Sequence, residues 1–204
     1  MVTPRNDARA REELDGIMNT IKGLLLDEEK EKALFQVRWF LDKTVMNKHH
    51  EEERALKNEI NNKGEYNEER RELIKKRTAV TQKNCTLPIN IGDIRHIKFG
   101  VGVGHELREH HYGIILARKG LMFLVAPLTS VPQNYGKYNC SFNNLGLPSK
   151  NGTKVSHVSF CHVRYVHQRR IEDIKIANKI NKFCIDNIHV NKILENFINI
   201  IKGV

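Results

Sequence analysis

The second half of this sequence has few acidic residues. Its 204 residues carry 34 Lys and Arg against 24 Asp and Glu, a formal net charge of +10. Residues 1–80 hold 17 of each sign, so the rest of the chain holds 17 basic residues and only 7 acidic ones. A cation excess confined to one part of a chain points to a polyanionic partner, either nucleic acid or an anionic membrane surface. Long apolar runs are missing too. None approaches the ~20 residues that span a bilayer, and Met1 to Arg11 contains no apolar secretory core. The expectation is a cytoplasmic protein without membrane contact. Cysteines are few: Cys85, Cys140, Cys161 and Cys184 stand far apart with no C-x-x-C pair. That spacing argues for reduced core thiols rather than disulfides or a zinc site.

Proline is absent from residues 8–78, and only Gly16, Gly23 and Gly64 interrupt that stretch. Helical spacing of Ile17, Ile21, Leu24 and Leu25, and then of Leu34, Val37, Leu41 and Val45, predicts an all-helical extension. Asp27, Glu28 and Glu29 suit the start of a second helix, where acidic side chains meet the positive end of the dipole. Asn47 to Glu59 is nearly all polar and reads as a solvated helix face or a projecting arm. The run Asn61-Asn62-Lys63-Gly64 reads as a turn, and Glu65 to Arg77 as a third helix. Residues 1–80 thus form one predicted region, devoted to packing or oligomerisation.

The texture changes after Val80. Pro88 pushes Leu87 toward extended geometry. Asp93 to Phe99, Tyr112 to Ala117 and Leu121 to Ala126 read as strands, the last two joined by a tight turn at Arg118-Lys119-Gly120. Asn134 to Gly152 reads as a long loop with a short strand near Tyr138 to Phe142. Val155 to Phe160 and His162 to His167 read as further strands. Ile174 to Ile201 shows helical spacing. The expected class is α+β, with residues 81–204 forming a small basic β-barrel that ends in a helix.

Several polar clusters lie on this second region. Gly100-Val-Gly-Val-Gly104 lacks the Gly-Lys-Ser/Thr ending of a nucleotide loop, and no amphipathic helix follows it, so it reads as a flexible connection. Next come His105, Glu106, Arg108, Glu109, His110 and His111. Strand neighbours point to opposite faces, so His110 and His111 do not share one ion, and no metal or other cofactor is expected. Acid–base or phosphate-binding chemistry suits the cluster better. A solvated polar loop is its plain alternative. Thr129 and Ser130 end an apolar strand, where hydroxyls either cap a turn or donate to a phosphate. Arg164, Arg169 and Arg170, with Tyr165 among them, fit either a nucleic-acid groove with a stacking surface or a solvated basic edge.

Taken together, these segments resemble the MazF/PemK toxin family over about residues 90–175. Gly92-Asp93-Ile94 is similar to the family's opening strand. Gly104-His105-Glu106, followed by His111-Tyr112-Gly-Ile-Ile-Leu116, resembles its Gly-Ser-Glu loop and the Arg-Pro strand after it. Val125-Ala-Pro-Leu-Thr129-Ser130 resembles the next strand with its functional Thr or Ser. Val163-Arg164-Tyr165-Val, with Arg169-Arg170-Ile171, resembles the Ile-Arg-Thr strand and the basic residues beyond it.

The resemblance implies an SH3-like barrel, usually a homodimer. It further implies metal-independent cleavage of single-stranded RNA, restrained by an antitoxin partner, protein or RNA. His111 stands where the family has its catalytic arginine, and Tyr112 where it has proline. On this reading His111 performs acid–base work, Thr129 and Ser130 hydrogen-bond the phosphate, and Arg108 supplies the missing cation. Arg164, Arg169, Arg170, Tyr165 and His105 hold RNA, while Gly104 and Glu106 shape the loop. The alternative is a non-catalytic barrel that grips RNA or a protein target such as DNA gyrase.

Overall fold

The computed structural model describes residues 6–64, 66–81, 85–100, 107, 109–148 and 155–203. The chain is α+β, and the described residues form four α-helices and an antiparallel sheet. It divides into two compact units, Met1–Val45 and Met46–Val204. The helices α1 (Ala8–Leu26), α2 (Lys30–Asn62) and α3 (Glu68–Thr81) lie where periodicity and the absence of proline place them. Asp7 caps α1 by accepting from the Ala10 amide at 3.2 Å. No residue of α1 is buried, and its apolar Ile17, Ile21 and Leu24 remain exposed.

In the second unit, β1 (Asp93–Gly100), β2 (Glu109–Lys119) and β3 (Met122–Thr129) form an antiparallel meander. Gly120, at φ +62°, turns the chain from β2 into β3. The short strands β4 (Ser141–Asn143) and β5 (Val155–Val158) extend one end of β3. The other part of β3 pairs with β6 (Arg164–His167). A 3₁₀ turn over Gln168–Arg170 then leads into β7 (Ile171–Glu172), which pairs with β1. The sheet therefore rolls back toward its first strand. It is not the closed barrel expected from the sequence, because the chain between β6 and β7, rather than a ladder, completes the circuit.

One sequence expectation is corrected downstream. Ile174 to Phe183 is strand, not helix: β8 (Ile174–Ile176) and β9 (Lys179–Asn181) form a hairpin, and β10 (Phe183–Cys184) pairs with β1. Ala177 and Asn178, at φ +48° and +63°, make the two-residue left-handed turn that matches strand twist. Helix begins only at α4 (Asn187–Lys202), where Asp186 accepts from the His189 amide at 2.8 Å and Gly203 ends the helix at φ +69°.

Strand alternation sorts the core onto two faces. Ile94, Ile114, Leu116, Ala126 and Leu128 pack with Val190 and Ile193 of α4. Ile97, Phe99, Ile115, Phe123, Val125, Val166 and Ile171 fill the opposite, inward-rolled face. Each large side chain so buried contributes roughly 1.5–3 kcal/mol. Gly113 permits the tight roll, since a Cβ there would lie 2.5 Å from Val125 Cγ1 and 2.9 Å from Ile97 Cγ1. One end of the inward face is closed by ions. Arg95, 2% exposed, pairs with Asp173 and donates from Nη2 to Asp93 at 2.8 Å and to the Pro88 carbonyl at 2.6 Å.

The C-terminal half of α2 belongs to this second unit. Its Glu53 accepts from Arg169 Nη2 at 2.9 Å, and the same guanidinium group reaches the His49 carbonyl at 3.0 Å. The change in charge falls at residue 80, whereas the compact units divide at residue 45, inside α2.

Candidate nucleic-acid interface

At the end of the inward face away from the Arg95 network, two of the expected residues, His111 and Arg164, meet at Phe99. His111 is paired with Ile97 across β1 and β2, so both point to the inward face. Its ring stands edge-on to Phe99, with centroids 6.2 Å apart. Arg164 is paired with Val125, which places it on that face too. Its Cζ lies 4.8 Å over the Phe99 ring, and its Nη2 donates to the Phe99 carbonyl at 3.4 Å. Phe99 is thus a platform shared by His111 and Arg164. Thr129 ends β3 beyond the last β2 pairing, Gly113 with Pro127, and its register partner there is His157 of β5.

The Thr129 hydroxyl accepts from the Val131 amide at 3.1 Å, which makes it a turn cap with its own proton still available to donate. Ser130 is exposed beside it. Arg170 is half-buried near Arg164; burial first, then the charge of Arg164, lowers its pKa. Arg108, His105, Gly104 and Glu106 lie outside the described residues.

Two of the expected RNA contacts are placed elsewhere. Arg169 is 6% exposed and committed to Glu53, so it is a structural cation rather than an RNA-holding one. Tyr165 pairs with Leu124 and alternates away from Arg164, leaving its half-exposed ring on the other face. His110 likewise departs from His111. Its ring meets His96 at 5.0 Å on the side of the sheet that α4 covers further along.

Sequence reasoning missed a hydrogen-bonded cluster next to the end of β3. Ser159 donates its amide to the Pro127 carbonyl at 2.9 Å. His162 Nδ1 lies 2.8 Å from Ser159 Oγ and 3.1 Å from Cys161 Sγ. Tyr135 Oη accepts from the Cys161 amide at 3.2 Å. The run Ser159-Phe160-Cys161-His162 was visible in the sequence, but the loop that brings Tyr135 to it was not. Cys85, by contrast, is a buried thiol, pushed up to about 12 by burial and by its hydrogen bond to Asp173.

In chemical terms this end brings an imidazole and a guanidinium group to one aromatic ring. That set can move a proton and donate to phosphate oxygens, while Phe99, buried beneath Arg164, holds the two side chains in place. Among the described residues, no helix is long and apolar enough to cross a membrane. No protein-family model matches the chain, and no curated protein matches it.

Proposed function

We propose that this protein is a toxin-like endoribonuclease that cuts single-stranded RNA without a metal, by attack of the 2′-hydroxyl on the adjacent phosphate. The observation that carries the reading is the meeting of His111 and Arg164, from β2 and β6, at Phe99 of β1. Their separation in sequence makes this convergence a property of the fold. His111 takes or returns the proton, Thr129 with Ser130 donates to the phosphate, and Arg164 with Arg170 offsets its growing charge. Phe99, and not Tyr165, is the aromatic group beside the cations.

The SH3-like reading of the fold belongs to the same proposal. It is supported by the meander β1-β2-β3, the β3–β6 pairing, and the 3₁₀ turn that returns β7 to β1. A homodimer and an antitoxin partner follow from the MazF/PemK resemblance. Product analysis tests the reading. Incubation with mixed single-stranded RNA in EDTA should leave 2′,3′-cyclic phosphate and 5′-hydroxyl ends. Strict dependence on magnesium or manganese would remove the mechanism, and intact RNA would leave a binding protein in its place.

A further inference from the structure

His96, His110 and Glu172 come from three different strands, β1, β2 and β7, and meet on the face opposite the proposed cleavage site. Each offers one ligand atom, and the three atoms lie within 4.8 Å of one another. His96 Nδ1 is 3.6 Å from Glu172 Oε2. A tetrahedral ion with bonds of ~2.1 Å needs its ligands about 3.4 Å apart, so this pair already stands near that separation. His110 is exposed, with its ring edge-on to His96 at 5.0 Å, and a side-chain rotation there would close the third edge.

From this geometry we propose that His96, His110 and Glu172 form a binding site for a zinc-class divalent cation, with a fourth position open to water. Two imidazoles and one carboxylate suit zinc, cobalt or nickel far better than magnesium or calcium, which prefer oxygen ligands. The second shell suits it as well. Lys98 Nζ lies 3.0 Å from Glu172 Oε1, the oxygen turned away from His96, and so fixes the carboxylate while Oε2 faces the imidazoles. The site would act as a clasp. β7 is two residues long, and its pairing with β1 is the step that brings the rolled sheet back to its first strand. An ion shared by β1, β2 and β7 would fasten that weak seam. It is separate from the cleavage chemistry proposed above, because His110 and His111 point to opposite faces.

A competing possibility is that these groups form an ion-pair network alone, with Lys98 and His96 satisfying Glu172 and no metal bound. The experiment uses the full chain, stripped with EDTA and desalted. Zinc is titrated against a chromophoric chelator, and cobalt is followed by its visible absorption. The expected result is one zinc per chain and a tetrahedral cobalt spectrum, neither displaced by millimolar magnesium. Saturating zinc should raise the melting temperature by about 5 to 10 °C at a hundredfold excess over Kd. His96→Gln and His110→Gln should each weaken zinc binding at least tenfold while circular dichroism stays unchanged, and Cys161→Ser should leave it intact. His110 is exposed, so its variant tests the site without threatening the fold. Absence of binding at micromolar zinc, or binding lost with Cys161→Ser and kept in both histidine variants, overturns the proposal.

Discussion

Arg169 and Glu53 stand 116 residues apart in sequence, yet form a buried ion pair, Nη2 to Oε2 at 2.9 Å, with both side chains at most 6% exposed. The pair joins the C-terminal half of α2 to the 3₁₀ turn that precedes β7. Removing one partner strands the other charge away from water, at a cost of about 3–5 kcal/mol. Glu53→Ala should therefore lower the urea midpoint strongly. The double variant Glu53→Ala, Arg169→Met should recover part of the loss. A small effect of Glu53→Ala, within about 0.5 kcal/mol as for an ordinary surface site, would mean that the pair does not hold the helix.

His167 lies beside this pair, and its Nδ1 accepts from the Arg169 amide at 3.2 Å. Burial first, then the charges of Arg169 and His50, lower its pKa. The folded protein thus takes up this proton less readily than the unfolded chain, whose imidazole titrates near ~6.5. Its contribution to stability is full above that pH and is lost as pH falls through the folded pKa. Urea midpoints at pH 7.5 and pH 5.5 should drop more for the native protein than for His167→Gln. Equal drops would place the acid sensitivity elsewhere.

Much of this architecture was legible in the sequence, and the reasons differ by element. The helices followed from spacing and the absence of proline, and the β2–β3 hairpin from two apolar runs around Arg118-Lys119-Gly120. The hairpin at Ile174 to Asn181 was not legible, because its apolar residues also fit helical spacing and its turn uses Ala177, an unusual choice at positive φ. At the candidate site, the opposite orientations of His110 and His111 followed from strand alternation alone. The burial of Arg169 did not, since nothing local in Gln168-Arg169-Arg170 announces a glutamate in α2. His96 and Glu172 were likewise invisible as partners of His110, because only the β1–β2 and β1–β7 registers bring them together.

RNA affinity should reside in the second compact unit. A fragment of residues 46–204 keeps Glu53 beneath Arg169 and should bind single-stranded RNA as the full chain does. Each phosphate neutralised on a single strand contributes about 0.7 to the slope of log affinity against log salt. Arg164→Gln should flatten that slope by about this amount, whereas Lys137→Gln, in the loop between β3 and β4, should not. An unchanged slope for Arg164→Gln would remove it from the RNA-binding surface.

The most direct test sets His111 against its neighbour. Single-turnover cleavage of single-stranded RNA in EDTA is measured for the native protein, His111→Ala and His110→Ala, with RNA binding measured in parallel from pH 5.5 to 8.5. His111→Ala should lower the rate by roughly 10²-fold or more, the usual contribution of a positioned acid or base, and leave binding nearly intact. The native rate should change across neutral pH, where an imidazole titrates. His110→Ala, facing away, should cleave nearly as the native protein does. Equal and small losses from both variants, with a flat pH profile, would contradict a cleavage site built on His111.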